Sequence, residues 1–175
     1  MTRSRTLSFL VTAAVIPLTV LALASCGGGT SDATASAALP KTANGRPATV
    51  GVANVGPLGA ILVDSKGRTV YLFEKDTGPE STCFGACATE WPPVTTSGKP
   101  SAGSGVTASM LGTTKRSDGK TQVTYNGHPL YLFEADQKPG DATGQNVDAF
   151  GAKWYVLSSA GDEVKAKGSG GGYAY

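Results

Sequence analysis

The sequence is poor in the side chains from which most catalytic and metal centres are built. It has one histidine, His128, and three cysteines, and only 16% of its residues are charged. A zinc site of the usual kind would lack its second imidazole. No serine stands in the Gly-x-Ser-x-Gly setting that exposes a nucleophile, so His128, just after the turn at Asn126-Gly127, is expected to be solvated. No Gly-x-Gly-x-x-Gly joins a strand to a helix, and there is no Cys-x-x-Cys-His haem attachment site. A glycosidase pair of carboxylates is available by count alone, and would have to face each other across a cleft about 5 to 9.5 Å apart. Lysine and arginine nowhere form a dense block, which argues against a nucleic-acid surface and against an electrostatic grip on anionic headgroups. No stretch beyond the N-terminus keeps a helical period over a window of about eleven residues. The expectation is a chain without catalytic residues, cofactor or metal.

What is present begins with an address. Arg3 and Arg5 precede an apolar run from Leu7 to Leu23, interrupted by Pro17 and closed by Leu23-Ala24-Ser25-Cys26. Charged region, apolar region and small residues in that order make a cleaved secretory signal, residues 1–25. The ending resembles the lipobox of bacterial lipoproteins. That resemblance implies a diacylglycerol on Cys26, which becomes the new N-terminus, and an extracytoplasmic chain held to the cell membrane by its acyl groups. Two chains give stable anchoring where one does not. Cleavage before Cys26 leaves one domain's worth of sequence. It also lowers Lys+Arg from 15 to 13, equal to the 13 Asp+Glu, so the mature protein is close to neutral.

With Cys26 taken by lipid, Cys83 and Cys87 remain as a pair in an oxidising compartment, where a disulfide is expected. Cys83-Phe84-Gly85-Ala86-Cys87 closes so small a loop that the chain-entropy gain is only about 2 kcal/mol, enough to rigidify a loop and not to staple a domain. A redox-active dithiol is the sharper alternative. It would ordinarily have two intervening residues, a helix N-terminus and solvent access. Metal-bound thiolates are the third.

From Gly27 to about Thr49 the chain is mostly Gly, Ser, Thr and Ala, so residues 26–49 read as the lipidated Cys and a flexible tether. Residues 161–175, ending Gly-Ser-Gly-Gly-Gly-Tyr-Ala-Tyr, read as a flexible tail. Between them, 50–160 is the folded part. Within it Gly67-Arg68-Thr69-Val70-Tyr71-Leu72-Phe73-Glu74-Lys75-Asp76 aligns without a gap to Gly127-His128-Pro129-Leu130-Tyr131-Leu132-Phe133-Glu134-Ala135-Asp136, and the register runs on to Pro79 and Pro139. Trp91 and Trp154 are looser echoes. The domain is a duplication, with repeats at about 50–95 and 110–158.

Both repeats read as β-structure. Asn126-Gly127 between Val123-Thr124-Tyr125 and Leu130–Phe133 is a two-residue hairpin signal, since both central positions need positive φ. Lys66-Gly67 holds the same place in the first repeat, and Asp118-Gly119 adds a turn that makes a meander from about Leu111 to Phe133. Val50–Val55 and Trp154–Leu157 are further strand candidates. About eight short strands with Gly- and Pro-rich turns imply an all-β sandwich or small barrel with pseudo-twofold symmetry.

The repeated Tyr71-x-Phe73-x-x-Asp76 and Tyr131-x-Phe133-x-x-Asp136 resemble the secreted-repeat bacterial lipoproteins, named for a Tyr-x-aromatic-x-x-Asp motif. The Cys pair followed by Trp91-Pro92-Pro93, and Pro139-Gly140-Asp141, fit the same pattern. The resemblance implies a secreted, membrane-anchored all-β repeat domain and carries no activity with it. From the residues themselves, Tyr71 and Phe73 point to one face of a strand and Val70 and Leu72 to the other, as expected of a strand packed on both sides. Asp76 and Asp136 fall where a carboxylate satisfies turn amides, each worth roughly 1 kcal/mol. The alternative makes Glu74/Asp76 and Glu134/Asp136 oxygen ligands for a cation such as calcium, though neither repeat has a calcium-loop spacing. The expected role is non-catalytic binding or structural work at the cell envelope. Behind it stands a redox or metal-handling accessory using Cys83/Cys87 or the acidic motif residues. A binding module is expected to show an aromatic patch, a redox protein an open dithiol.

Overall fold

A computed structural model describes residues 46–166. Cys26, the expected signal peptide and most of the expected tether and tail lie outside the described residues.

Strands β1 (Thr49–Asn54) and β2 (Ala60–Asp64) open the first repeat, followed by β3 (Tyr71–Phe73) and a single-turn helix α1 (Ala86–Glu90). A connection containing β4 (Ser101–Ala102) leads to the second repeat: β5 (Leu111–Lys115), β6 (Thr121–Tyr125), β7 (His128–Pro129), β8 (Asp148–Ala149) and β9 (Ala152–Val156). They form three three-stranded sheets in the orders β2-β1-β4, β3-β9-β8 and β5-β6-β7. The all-β, two-repeat architecture thus takes the form of small sheets joined by isolated bridges, among them Tyr71 to Tyr131, Pro93 to Tyr131, Thr95 to Gln122 and Ile61 to Ser158.

The pseudo-twofold centre is the first of these bridges. The Tyr71 N–H donates to the Tyr131 carbonyl at 2.8 Å, and the Tyr131 N–H returns a bond to the Tyr71 carbonyl at 2.9 Å. Moving outward from this pair, Phe73 faces Trp154 across β3 and β9. The Glu74 N–H donates to Lys153 O, while in the other half the Glu134 N–H donates to Glu90 O, each at 3.0 Å. Each Tyr-Leu-Phe segment therefore lies beside the tryptophan segment of the other repeat.

The hairpins follow from their turn residues, with one correction. Asn126 (φ 48°) and Gly127 (φ 84°) make the expected two-residue connection, pairing Tyr125 with His128. The first-repeat turn is one residue longer than the expected Lys66-Gly67. The Asp64 N–H donates to Arg68 O and the Gly67 N–H to Asp64 O, so the loop is Ser65-Lys66-Gly67 with Gly67 at φ 75°. Asp64 explains the extra residue: its carboxylate accepts the Lys66 and Arg68 amides at 2.8 and 2.9 Å, a local geometry that Tyr125 cannot supply at the matching place. Asp118-Gly119 likewise sits in a three-residue loop, closed by the Arg116 N–H on Lys120 O.

Side-chain alternation divides the interior in two. Tyr71, Phe73, Tyr131 and Phe133 pack in one cluster with Trp91, Trp154 and both loop cysteines. Val70, Leu72 and Leu130 pack in the other with Val123 and Tyr125, and Leu132 is partly buried against them. Strands that are apolar on both faces are what two cores require. The folded part also reaches past residue 160, where the flexible tail was expected to begin. Leu157 bridges to Glu163, Gly161 is buried, and the Gln145 side-chain amide donates to Ala166 O at 2.9 Å.

Candidate functional site

The repeated motif closes on itself across the twofold axis. Four rings lie in one pile. Phe73 stacks on Trp154 at 4.0 Å between centroids, Trp154 on Trp91 at 4.0 Å, and Trp91 on Phe133 at 4.2 Å. Tyr71 meets Trp91 edge-on at 5.4 Å, and Tyr131 meets Trp154 edge-on at 5.1 Å. Edge-to-face and stacked contacts of this kind add about 0.5–1.5 kcal/mol each to the area they bury. Gly144 lines the pile so closely that a Cβ there would sit 2.7 Å from Trp91 Cη2.

Both tyrosines then spend their hydroxyls on the other repeat. Tyr71 Oη donates to Asp136 Oδ2 at 2.6 Å, and Tyr131 Oη donates to Asp76 Oδ2 at 2.5 Å. The second oxygen of each carboxylate does the expected turn work. Asp76 Oδ1 accepts the Thr82 N–H and hydroxyl, both at 2.7 Å, and Asp136 Oδ1 accepts the Thr143 N–H and hydroxyl at 2.9 and 2.6 Å. Burial, reinforced by the neighbouring Asp136 charge, pushes the Tyr71 phenol well above its ordinary value. Burial and the bond to Asp76 do the same to Tyr131. A carboxylate holding three donors in a dry setting has little left to offer a cation, and Glu74 and Glu134 point to solvent. Among the described residues no three His, Cys, Asp or Glu come together in a way that could hold a metal ion.

Cys83 and Cys87 form the expected disulfide, with Cα atoms 5.3 Å apart. Cys83 is fully buried and Cys87 nearly so. The loop they close is gripped by Arg116, a residue that no sequence pattern singles out. Its guanidinium donates to Cys83 O at 2.7 Å, Ser81 Oγ at 2.7 Å and Gln122 Oε1 at 2.8 Å, and lies 4.5 Å over the Phe84 ring. Ser81 Oγ in turn stands 2.8 Å from Tyr131 Oη, so the Cys loop, Arg116 and the Tyr131–Asp76 pair form one network. The side chain of Arg116 is wholly enclosed, and its acidic partner Asp118 is about one-third exposed. A dithiol meant for exchange would need an open approach to sulfur, whereas both of these cysteines are buried. Alkylation of the native protein, followed by intact mass, is expected to add nothing even in mild reductant. Labelling of both thiols should require denaturant as well. Ready double labelling of the folded protein in mild reductant would return the redox reading to the front.

His128 is half-buried beside Glu74, Asp162 and Glu163 at a surface depression. No hydroxyl or thiol nucleophile lines that depression apart from Thr77. Among the described residues there is no aromatic patch of the kind expected of a binding module, because the motif aromatics are in the core. Among the described residues the large apolar side chains left exposed are Phe84 and Phe150.

The fold and motif define a class: a duplicated β domain whose two copies share one aromatic centre. A family described as a secreted repeat of unknown function matches residues 53–95 and 112–158, just over half of the chain, and the chain belongs to that family. The two matched segments coincide with the two structural repeats. A secreted family sets the domain outside the cytoplasm. No curated protein and no solved structure matches the chain.

Proposed function

We propose that the protein is a membrane-anchored lipoprotein that does non-catalytic binding or structural work at the outer face of the cell membrane. One observation carries the non-catalytic part: the side-chain oxygens of the motif tyrosines and aspartates are all committed to one another and to threonines, Tyr71 to Asp136, Tyr131 to Asp76 and both carboxylates to Thr82 and Thr143. Residues so engaged hold a scaffold together. Catalysis would need at least one of them free to change partners or protonation as a substrate reacts. The work then falls to the surface around that scaffold. The anchor rests on Leu23-Ala24-Ser25-Cys26.

The anchor is tested by growing the host with a labelled fatty acid. Wild-type protein is expected to carry the label and to fractionate with membranes. Cys26→Ser is expected to lose the label and to accumulate as uncleaved precursor. A Cys26→Ser protein that still carries the acyl label would refute it.

A further inference from the structure

The two repeats differ in how they finish their outer strands. β1 and β5 are counterparts, since each precedes and pairs antiparallel with the first strand of its repeat's hairpin. The free side of β1 is covered. β4 pairs with it in parallel, with Ser101 N–H on Ala48 O, Gly103 N–H on Val50 O and Val52 N–H on Ser104 O, at 2.8, 2.7 and 3.0 Å. The matching side of β5 is uncovered among the described residues, because β5 ends its sheet and no isolated bridge reaches it.

Strand parity tells which groups that edge presents. The Asn126 N–H donates to Met110 O and the Arg116 N–H to Lys120 O, so the even residues of this stretch turn their backbone groups toward β6. Leu111, Thr113 and Lys115 therefore turn theirs outward. The Leu111 N–H is already used on Ala108 O, which leaves its carbonyl and both groups of Thr113 and Lys115. A groove of about 550 Å³ is lined by Leu111, Thr113 and Lys115 of this strand, by Thr121 of β6 and by Lys99 and Pro100. No carboxylate lines it. An open strand edge next to a groove is the setting in which proteins take up an extended peptide as an added strand.

We propose that the open edge of β5 binds an extended acidic peptide, which completes this sheet as β4 completes the sheet of the first repeat. Main-chain bonds from Thr113 and Lys115 would fix the register, and Lys99 and Lys115 would select carboxylates. The charge of the groove argues against the other occupants. A second copy of β5 would bring one more lysine and no carboxylate. The segment 27–45 of this chain offers one Asp and one Lys, and 168–175 offers no acidic side chain. The proposal rests on the binding reading above only in naming a partner for its surface. Acyl labelling at Cys26 is independent of the outcome.

Amide hydrogen exchange on the purified full chain tests it, with the blocked peptide Glu-Thr-Glu-Val-Glu-Thr-Glu as probe. In the free protein the Thr113 and Lys115 amides are expected to exchange fast while Gly112 and Thr114 are protected. Saturating peptide should slow Thr113 and Lys115 by about tenfold or more. The effect should fade at about 0.5 M salt, where exposed charges are screened. Thr113→Pro removes an outward N–H and spares the ladder to β6, so it should abolish protection at Lys115 while Gly112 and Thr114 stay slow. If that variant fails to fold, the pair Lys99→Glu and Lys115→Glu decides, since both side chains are solvent-exposed. The same peptide with Lys in place of Glu should not bind. Equal protection by both peptides, or none by the acidic one, would overturn the proposal. So would a Thr113 amide already protected in the free chain, which would assign the edge to a segment of this chain or to a second copy.

Discussion

Trp91→Ala is expected to destabilise the domain by about 3–5 kcal/mol, the usual range for deleting a buried aromatic. Against a total stability of about 5–15 kcal/mol, that leaves a protein close to its unfolding threshold. Its melting temperature should fall by on the order of 15 °C. Trp91 is fully enclosed at the middle of the four-ring pile, with Trp154 on one face, Phe133 on the other and Tyr71 against its edge. Its loss removes one of the contacts by which each repeat reaches the other, and leaves a void that stiff neighbouring rings cannot collapse to fill. Trp154→Ala is expected to cost at least as much, because Trp154 has the equivalent ring neighbours and its Nε1–H also donates to Ala149 O at 3.2 Å. Gly144→Ala approaches the same site from the opposite sense, driving a methyl to 2.7 Å from Trp91 Cη2 and 3.1 Å from Phe133 Cδ1. Phe150→Ala is the contrast. Phe150 is 39% exposed and belongs to neither core cluster, so its change should stay within about 0.5 kcal/mol. A thermal melt of the four variants checks the set. A Trp91→Ala protein melting within a few degrees of wild type would show that the pile is ornament to a fold held elsewhere.

Much of this arrangement was legible in the chain, and the division follows sequence distance. A period of two around Tyr71 and Tyr131 predicts both buried faces, and Asn126-Gly127 predicts its own turn, because the determining contacts lie within a few residues. Partners at long separation left weaker marks. Asp76 and Asp136 were expected to serve their own turns, and one oxygen of each does so through Thr82 and Thr143. The other oxygen meets a tyrosine 55 or 65 residues away, a pairing that no local pattern encodes. Trp91 and Trp154 read as loose echoes because an insertion between motif and tryptophan shifts their offset, although they are the centre of the core. Arg116 lies in Lys115-Arg116-Ser117-Asp118-Gly119, which reads as a solvated turn. Its burial depends on the disulfide loop of the other repeat folding over it. The signal that was available is the duplication itself. Two copies of Tyr-x-Phe-x-x-Asp on one chain, each with more apolar surface than a single hairpin can cover, imply that the copies cover one another.

Asp76→Ala and Asp136→Ala are each expected to cost about 3 kcal/mol, well above the roughly 1 kcal/mol of a simple turn hydrogen bond. Each change strips donors in two places: the threonine that loses its acceptor, and the enclosed tyrosine hydroxyl left with no carboxylate. The crossed pairing makes a sharper test than the size of the loss. Tyr131→Phe and Asp76→Ala should show a coupling of about 1–2 kcal/mol in a double-mutant cycle, whereas Tyr131→Phe and Asp136→Ala, which share no bond, should be close to additive. The same pairs set the alkaline limit of the fold. Both phenols are raised in the folded state by burial and by the carboxylates they face. The unfolded chain releases these protons at about pH 10, where the folded chain still holds them. The stabilisation is therefore complete below about pH 10 and drains away as pH climbs toward the raised folded values. Phenolate absorbance from Tyr71 and Tyr131 should appear only well above pH 10, together with loss of tertiary structure. Replacing both by Phe should remove that contribution and flatten the decline of stability with pH above about 10. If instead Tyr71 and Tyr131 ionise reversibly near pH 10 in a protein that stays folded, the clasp between the repeats is looser than the geometry says, and Asp76 and Asp136 return to being turn residues.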